Sequence, residues 1–398
     1  MPCFSKVAFR TCLSTSVAIL CLWSFPFTAH AQQPLDTRRA GLGTRVMIEI
    51  GPSAQDAWEL NRVSTAEVDR LGQLWVPDET EKRIRVFAPD GRLVRTVGGK
   101  GSGPGEFQQF FWLQALGDTM WVYDPRLSRF TSYSIASGNL LKSTRPTAVE
   151  ARTFGLSSSG RLIARWSDMK GPGESTPLRI DLVHDRPNAE RALASVARTH
   201  PVYWARIYDR KEPPPPPEPN HGLQIDQIFD DATLYQRGSA GSSVVLVERS
   251  GLPSSGFRIV EIGTKGDTLS KRFYAATRVP LTDTQVEMAI DSISRSVSEY
   301  ANPNFIASTS DIRAALFRPK FWPAVVDFHV GIDGSIWLSQ PPSTPSTMQY
   351  WRVDKDGRTL PPVALEAGLR ILRVSRDRVW VVKENADGIP TIQIRNVQ

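Results

Sequence analysis

This 398-residue chain contains few cysteines, and their positions exclude several classes of protein. The three cysteines are Cys3, Cys12 and Cys21, so a chain that lost its first 31 residues would contain none. Such a chain has no disulfide, no thiolate nucleophile and no cysteine-ligated metal. Long apolar runs are also absent, whereas a membrane-spanning helix needs about 20 such residues. We therefore expect no transmembrane segment in the mature protein.

The N-terminal segment predicts export. A basic start with Lys6 and Arg10 precedes an apolar stretch, residues 17–27, and a small-x-small site that ends at Ala31. This order is typical of a secretory signal peptide cleaved after that alanine. A lipid anchor on Cys21 is the alternative, but the residue before it is not small. We expect a secreted or periplasmic protein whose residues 32–398 form a single domain.

The charge balance argues against a nucleic-acid partner. The chain has 48 Lys and Arg against 41 Asp and Glu, a net charge of +7, and loss of Lys6 and Arg10 with the leader lowers it to +5. No dense basic cluster accompanies this mild excess, as nucleic-acid binding would require. A polyanion binder stays open as a lesser hypothesis.

Tandem repeats indicate the architecture. The segment Leu74–Asp78 is followed by Arg83–Phe87, and the same pattern recurs 46 positions later from Met120. Trp337 and Trp380 lie 43 positions apart in similar surroundings. A period in the forties with short alternating strands is typical of β-propeller blades.

Counting the repeats predicts an all-β fold, a six-bladed β-propeller. The second strands of the units are expected near Trp75, Trp121, Ile163, Val245, Trp337 and Trp380. Wide gaps before Val245 and Trp337 leave seven or eight blades as alternatives. The last unit supplies three strands within 368–397, and the strand Arg45–Ile50 belongs to no complete unit. Because open sheet edges favour aggregation, we expect this N-terminal strand to close the ring.

Two insertions interrupt the repeats. Residues 210–221 contain five consecutive prolines, Pro213–Pro217, which predict an exposed polyproline spacer; a docking surface for a partner is the alternative.

The second insertion, residues 281–317, has the pattern of helices. Thr282 and Gln285 form a capping box, and Ser310 or Asp311 is expected to cap a second helix. Apolar residues at helical spacing predict a stripe that packs onto the propeller face; they are Val286, Ile290, Ile293, Val297 and Tyr300.

Three segments of the first units resemble the NHL repeat, here of an exported bacterial type. They are Gly72–Asp78, Arg83–Phe87 and Gly98–Phe107. The resemblance implies a six-bladed β-propeller. Known members bind protein, RNA or carbohydrate, or catalyse reactions in the central channel, so the likeness determines the fold better than the function. It also implies two structural ion pairs, Asp78 with Arg83 and Asp124 with Arg129.

Local catalytic motifs are missing from the sequence. The glycine-rich segment Gly98–Gly105 lacks the Gly-Lys-Ser/Thr of a phosphate loop, and no Gly-x-Ser-x-Gly elbow occurs. The histidines beyond the leader lack zinc-site spacing; they are His184, His200, His221 and His329. We therefore predict no catalytic residue.

First strands of propeller blades converge on the channel, which allows a metal site that no local motif shows. Asp69 and Asp327 are the candidates for a divalent ion such as Ca²⁺, and structural turns are the alternative for both.

Two functions follow. The first is a non-enzymatic propeller, without a cofactor, that binds an unknown protein or carbohydrate through one face. Its candidate contacts are aromatic, because exposed rings bind with little loss of entropy; they are Tyr203, Trp204, Tyr208, Phe321 and Trp322. The alternative is a lactonase-like, metal-dependent hydrolase or lyase that acts in the channel.

Overall fold

The structure is a computed structural model with side chains. It describes residues 41–51, 60–145, 152–159, 162–166, 178–183, 191–196, 203–209, 211, 223–225, 227–252, 255–300, 304–342 and 346–398. The predicted signal peptide and the polyproline segment lie outside the described residues.

The first half of the described chain forms three four-stranded antiparallel sheets. The strand β1 (Thr44–Ile50) comes first. Blade one contains β2 (Glu67–Val68), β3 (Leu74–Asp78), β4 (Arg83–Phe87) and β5 (Leu93–Gly98). Blade two contains β6 (Trp112–Leu116), β7 (Thr119–Asp124), β8 (Arg129–Ser134) and β9 (Leu140–Thr144). Blade three contains β10 (Arg152–Leu156), β11 (Leu162–Trp166), β12 (Leu178–Val183) and β13 (Arg191–Val196).

Two further meanders and a composite sheet follow. The short strands β14 (Tyr203–Ala205), β15 (Ile207–Asp209) and β16 (Leu223–Ile225) precede blade four. Blade four contains β17 (Leu234–Arg237), β18 (Ser243–Glu248), β19 (Gly256–Gly263) and β20 (Thr268–Ala275). The segment α1 (Asp283–Tyr300), β21 (Phe305–Ala307) and α2 (Thr309–Ala315) separates it from blade five. Blade five contains β22 (Phe328–Val330), β23 (Ile336–Ser339), β24 (Thr347–Val353) and β25 (Thr359–Glu366). Blade six contains β26 (Arg370–Val374), β27 (Arg378–Glu384) and β28 (Pro390–Val397).

The strand β1 supplies the fourth strand of blade six. It pairs antiparallel with β28, from Thr44 opposite Val397 to Ile50 opposite Ile392. Chain start and chain end therefore share one sheet, which confirms the predicted closure. The described residues form six four-stranded sheets, and the chain is a six-bladed β-propeller.

The hydrophobic core is divided among the interfaces between neighbouring blades. Trp75 and Val86 of blade one pack with Leu113 and Val122 of blade two. Equivalent clusters lie between each remaining pair of neighbours around the ring. A four-stranded sheet has two apolar faces here, and each is buried only when the next blade covers it. Burial thus stabilises the ring as a whole, at roughly 25 cal/mol per Å² of apolar surface.

The glycine-rich link between blades one and two is anchored by a phenylalanine. Phe107 is fully buried, and its backbone N–H donates to the carbonyl of Gly99 at 2.7 Å. Gly98 has φ +79°, and a Cβ there would lie 2.6 Å from the Phe107 ring. The glycine is required by both its conformation and this close approach.

The segments on either side of blade four meet in a separate small core. Strand β14 pairs with β16, and β15 pairs with β21. Their apolar cluster includes Ala205, Phe229, Val286, Ile290, Ala307, Ile312 and Leu316. The helical stripe therefore packs largely against these segments, and the expectation that it packs onto the propeller face is wrong. The two segments bury each other's apolar side chains, because neither segment alone has enough apolar surface to form a core.

Hydrogen bonds at the helix ends agree with most of the sequence pattern. The Thr282 N–H donates to Gln285 Oε1 at 3.1 Å, and the Gln285 N–H donates to Thr282 Oγ1 at 3.3 Å, so the capping box is confirmed. The N-cap of α2 is Ser308, whose Oγ accepts a hydrogen bond from the Asp311 N–H. The prediction of Ser310 or Asp311 as the cap is therefore wrong. The carboxylate of Asp311 instead accepts three hydrogen bonds from Arg206: the backbone N–H and Nε donate to Oδ2 at 3.0 and 2.6 Å, and Nη2 donates to Oδ1.

Candidate functional site

A cavity of about 1070 Å³ lies along the axis of the ring. The innermost strands β2, β6, β17, β22 and β26 and their following turns supply most of the described residues that line it. Its polar and charged lining includes Thr65, Glu67, Asp69, Gln114, Gln236, Arg237, His329, Asp333 and Arg373. The middle of the ring is therefore polar, whereas the surfaces between blades are apolar.

Strand register explains which residues face the channel. In five blades one polar residue of the inner strand lies opposite the central residue of the second strand. The pairs are Glu67 with Trp75, Gln114 with Trp121, Gln236 with Val245, His329 with Trp337 and Arg373 with Trp380. In blade three the corresponding residue is Gly155, opposite Ile163.

Glu67 accepts hydrogen bonds from two arginines of other blades. Arg373 donates through Nε to Oε1 at 3.2 Å and through Nη2 to Oε2 at 2.6 Å. Arg237, three blades away, donates through Nη2 to the same Oε2 at 3.3 Å. The Glu67 side chain is 8% exposed. One buried carboxylate thus lies between two guanidinium groups.

Arg237 reaches across the channel because blade three leaves room for it. A Cβ on Gly155 would lie 2.7 Å from Arg237 Cδ. Beyond this point Arg237 Nη1 donates to Gln114 Oε1 at 2.8 Å. Burial lowers the pKa of Arg237 to about 10; Glu67 raises it, and Arg373 lowers it further.

Two glutamines fix the channel wall between neighbouring blades. Gln114 Nε2 donates to the carbonyl of Leu156 at 2.7 Å, and its Oε1 accepts from the Leu156 N–H at 2.7 Å. Gln236 Nε2 donates to the carbonyl of Phe328, and its Oε1 accepts from the Val330 N–H at 3.2 Å. These side chains are held before any ligand arrives.

His329 lies in the wall of blade five. Burial lowers its pKa below the ordinary value, Asp327 opposes this shift, and Arg373 adds to it. Its Nε2 is 4.0 Å from Asp327 Oδ2, and its ring centroid is 6.4 Å from that of Tyr350. Burial, with a smaller effect of Asp327, raises the pKa of Tyr350 to about 12. At neutral pH the imidazole is therefore uncharged and the phenol protonated.

The two proposed metal ligands are placed differently. Asp69 Oδ1 accepts from the N–H groups of Leu71 and Gln73, and its Oδ2 accepts from Trp75 Nε1. This carboxylate forms a structural turn. Asp327 is 61% exposed and is not among the described residues that line the cavity. The described residues contain no group of three His, Cys, Asp or Glu placed to share a metal, and this donor set does not fit a resident Ca²⁺.

The aromatic candidates lie mainly near the inserted segments. Tyr203 and Trp204 belong to β14, and their side chains lie outside the described residues. Tyr208, in β15, is half-buried. Phe321 is exposed, with the Arg278 guanidinium over its ring. Trp322 packs in the small core, edge-on to a neighbouring phenylalanine, and donates through Nε1 to Gln285 at 3.1 Å. Tyr208, Phe321 and Trp322 are not among the described residues that line the channel.

The expected ion pair of Asp78 is formed with a different arginine. Asp78 and Arg83 are cross-strand neighbours, but the salt bridge of Asp78 is to Arg85. Arg85 is 5% exposed and its partner 0%, whereas Arg83 is exposed at the strand end. The carboxylate lies in the blade interior, where it pairs with Arg85 and accepts from the N–H groups of Thr80 and Glu81.

The second expected ion pair is also replaced by other contacts. The carboxylate of Asp124 accepts from the N–H groups of Gln108, Gln109 and Leu127. Arg129 donates instead to the carbonyls of Ser102 and Glu106. Both side chains anchor the link that enters blade two.

Sequence reasoning missed Glu67, Gln114, Arg237 and Arg373. The sequence contains a signal for three of them, Glu67, Gln114 and Arg373. A polar residue seven or eight positions before the central tryptophan faces the channel wherever the intervening turn is short. Arg237 lies one position past this register, and nothing local marks it.

Comparisons with known proteins support the fold. Residues 53–179 match the DUF5128 family, described as a 6-bladed beta-propeller. No curated protein matches the sequence. The chain is similar to a Bacteroides fragilis protein described as exported, with 12% identity and a TM-score of 0.46, over 89% of this chain and 95% of the other.

Two more solved structures show comparable likeness. A DUF4221 member from Bacteroides vulgatus is 9% identical with a TM-score of 0.41, over 90% of this chain and 99% of the other. A catalytically inactive virginiamycin B lyase from Staphylococcus aureus is 10% identical with a TM-score of 0.40, over 89% and 100%. Among the described helices, none combines the length and apolar character needed to cross a bilayer.

Proposed function

We propose that this protein is an exported, NHL-type propeller that binds a segment of a protein or glycan in its central cavity. The carrying observation is the cavity of about 1070 Å³ whose polar walls are fixed by hydrogen bonds between blades. Binding pockets are commonly about 300–1,000 Å³, largely preformed, with a few well-placed polar groups. Preorganised walls favour binding because little entropy is lost when the ligand arrives.

Export rests on the N-terminal pattern, and it is tested separately from binding. Expression in a bacterium with a periplasm should yield protein in the periplasmic fraction. Intact-mass measurement should give a chain that starts at Gln32. A full-length mass in the cytoplasm would contradict this part of the proposal.

A pair of Thr→Trp variants tests the binding site. Thr65 lines the cavity, and Thr65→Trp fills part of it. Thr96 is exposed on β5, the outer strand of the same blade, so Thr96→Trp is the matched control. Mature wild-type protein is first applied to printed oligosaccharides and to a tiled peptide library.

For a bound probe, titration should show that Thr65→Trp weakens affinity at least tenfold while Thr96→Trp changes it less than twofold. Equal affinity in both variants would place the site outside the cavity, and the absence of any saturable probe would refute the function.

Elemental analysis of protein purified without chelator tests the alternative, a metal-dependent enzyme. A stoichiometric divalent ion that raises the melting temperature would favour the metal-dependent enzyme.

A further inference from the structure

Across the channel, at the level of Glu67, two guanidinium groups share one carboxylate. Glu67 accepts from both Nε and Nη2 of Arg373 in a two-point contact, the geometry in which a guanidinium and a carboxylate pair most completely. Arg237 has only the longer 3.3 Å contact to the same carboxylate and a neutral amide partner, Gln114. Arg237 is therefore the surplus cation of this layer.

The other described acidic residues of the cavity wall are committed elsewhere. The Asp69 carboxylate accepts from its own turn and from Trp75. Asp333 accepts from the N–H groups of Ser335 and Arg376. Asp377 lies at the mouth, 83% exposed. Among the described residues, charge from Glu67 alone opposes the burial of Arg237.

A surplus buried cation is costly unless an anion completes its shell. Arg237 has five N–H donors, and two of them are used in its described hydrogen bonds. A planar guanidinium matches the geometry of carboxylates and phosphates. The wall around Arg237 thus lacks one anionic group.

Aromatic side chains line the same cavity. Phe111 is 51% exposed and contributes to the wall together with Trp112, Tyr235 and Trp380. Flat aromatic faces beside fixed amide groups suit a pyranose ring, which offers both an apolar face and hydroxyl groups. The combination favours a sugar that carries a carboxylate over a flexible acidic peptide.

Resting on the proposed function, we infer that the cavity binds a uronic-acid-bearing glycan whose carboxylate is received by Arg237. The guanidinium of Arg237 pairs with this carboxylate, while Glu67 keeps Arg373. The exposed ring of Phe111 then contacts a sugar ring face, and Gln236 contacts a sugar hydroxyl. No covalent step is involved.

The probes are tetragalacturonate, its neutral methyl ester, and a tetraglutamate peptide. Isothermal titration of mature protein should show tetragalacturonate binding at least tenfold more tightly than the ester or the peptide. Arg237→Gln should weaken tetragalacturonate at least tenfold and leave ester binding within twofold. The matched control is Arg83→Gln, which removes an exposed cation outside the cavity lining and should change affinity less than twofold.

Each possible result either supports or overturns the inference. Equal affinity for acid and ester, equal loss in the Arg83→Gln variant, unchanged affinity in Arg237→Gln, or stronger binding of the peptide would overturn the inference. If Arg237→Gln does not fold, Arg237→Lys replaces it, because lysine keeps the charge but lacks the planar fork. A loss of at least threefold in affinity for tetragalacturonate supports the pairing, and unchanged affinity refutes it. Loss of acid and ester alike in Thr65→Trp shows that the cavity is still the site, so the inference can fail while the proposed function stands.

Discussion

Arg237 of blade four donates a hydrogen bond to Glu67 of blade one at 3.3 Å, across the axis of the ring. The same carboxylate pairs with Arg373 of blade six. Three blades distant in sequence are thus tied by one side chain. Apolar interfaces hold neighbouring blades together. The contact between Arg237 and Glu67 instead links blades four and one, which share no interface.

Removing the charge of Glu67 should destabilise the ring. In Glu67→Gln two arginine side chains that are 15% and 23% exposed face each other without the buried carboxylate, and removing one partner of a buried pair costs about 3–5 kcal/mol. Urea unfolding followed by tryptophan fluorescence measures the loss. The control is Asp118→Asn, whose pair with Arg70 is exposed at 77% and 48% and is worth under about 1 kcal/mol. Similar losses in both variants would show that Glu67 has no special role.

The two arginines of β4 should respond very differently to substitution. Arg85→Met leaves the buried Asp78 carboxylate without its salt bridge, a loss of about 3–5 kcal/mol in the free energy of unfolding. Arg83→Met removes an exposed charge and should stay within about 0.5 kcal/mol. Urea midpoints of the two variants give the comparison. A larger effect of Arg83→Met would restore the ion pair expected from the repeat resemblance.

Closure of the ring can be tested on β1. Ile50 is 2% exposed and packs between blades six and one, so Ile50→Ala should cost about 2–5 kcal/mol. Met47 lies on the same strand at 46% exposure, and Met47→Ala should stay within about 0.5 kcal/mol. Thermal melting of both variants is the measurement. Equal melting temperatures would mean that β1 is not needed to complete blade six.

The lowered pKa of His329 gives the stability a pH dependence. The unfolded chain binds a proton near the ordinary histidine pKa of about 6.5, whereas burial and Arg373 keep the folded His329 neutral to lower pH, against the pull of Asp327. Since the unfolded state then holds more protons, the contribution of His329 is fully present above pH 6.5 and is lost as the pH falls through the folded pKa.

His329→Gln should therefore flatten the fall in melting temperature below pH 6.5. Wild type and variant are compared from pH 7.5 to 5.0 in one buffer series. Tyr350 titrates well above this range and does not interfere. If the two curves run parallel, His329 is not the group responsible.

Much of the fold follows from the sequence because propeller blades repeat their local pattern. Trp75 and Trp121 share the spacing to the following strand, and each proves to lie in the second strand of a blade. The unpaired strand before Ile50 marked the closure, because the last unit lacked a fourth strand. Local periodicity was sufficient for these features.

The channel could not be derived in the same way. Glu67 lies in a two-residue strand, too short for any alternation to be recognised. Its contacts with Arg237 and Arg373 depend on how many blades close the ring, which is a global property. The choice of Arg85 over Arg83 likewise depends on which side chain reaches the interior, and spacing alone does not decide it.

Gly155 should be coupled to Arg237 through the space that it leaves. An added Cβ would lie 2.7 Å from Arg237 Cδ and 3.0 Å from its Nη1, so Gly155→Ala displaces the arginine from Gln114. In a double-mutant cycle, Gly155→Ala should destabilise the wild-type background but cost at least about 1 kcal/mol less in the Arg237→Ala background, where the space is free. Chemical unfolding of the four proteins measures this coupling. Additive effects within about 0.5 kcal/mol would mean that the glycine serves the backbone of blade three and has no part in admitting the arginine.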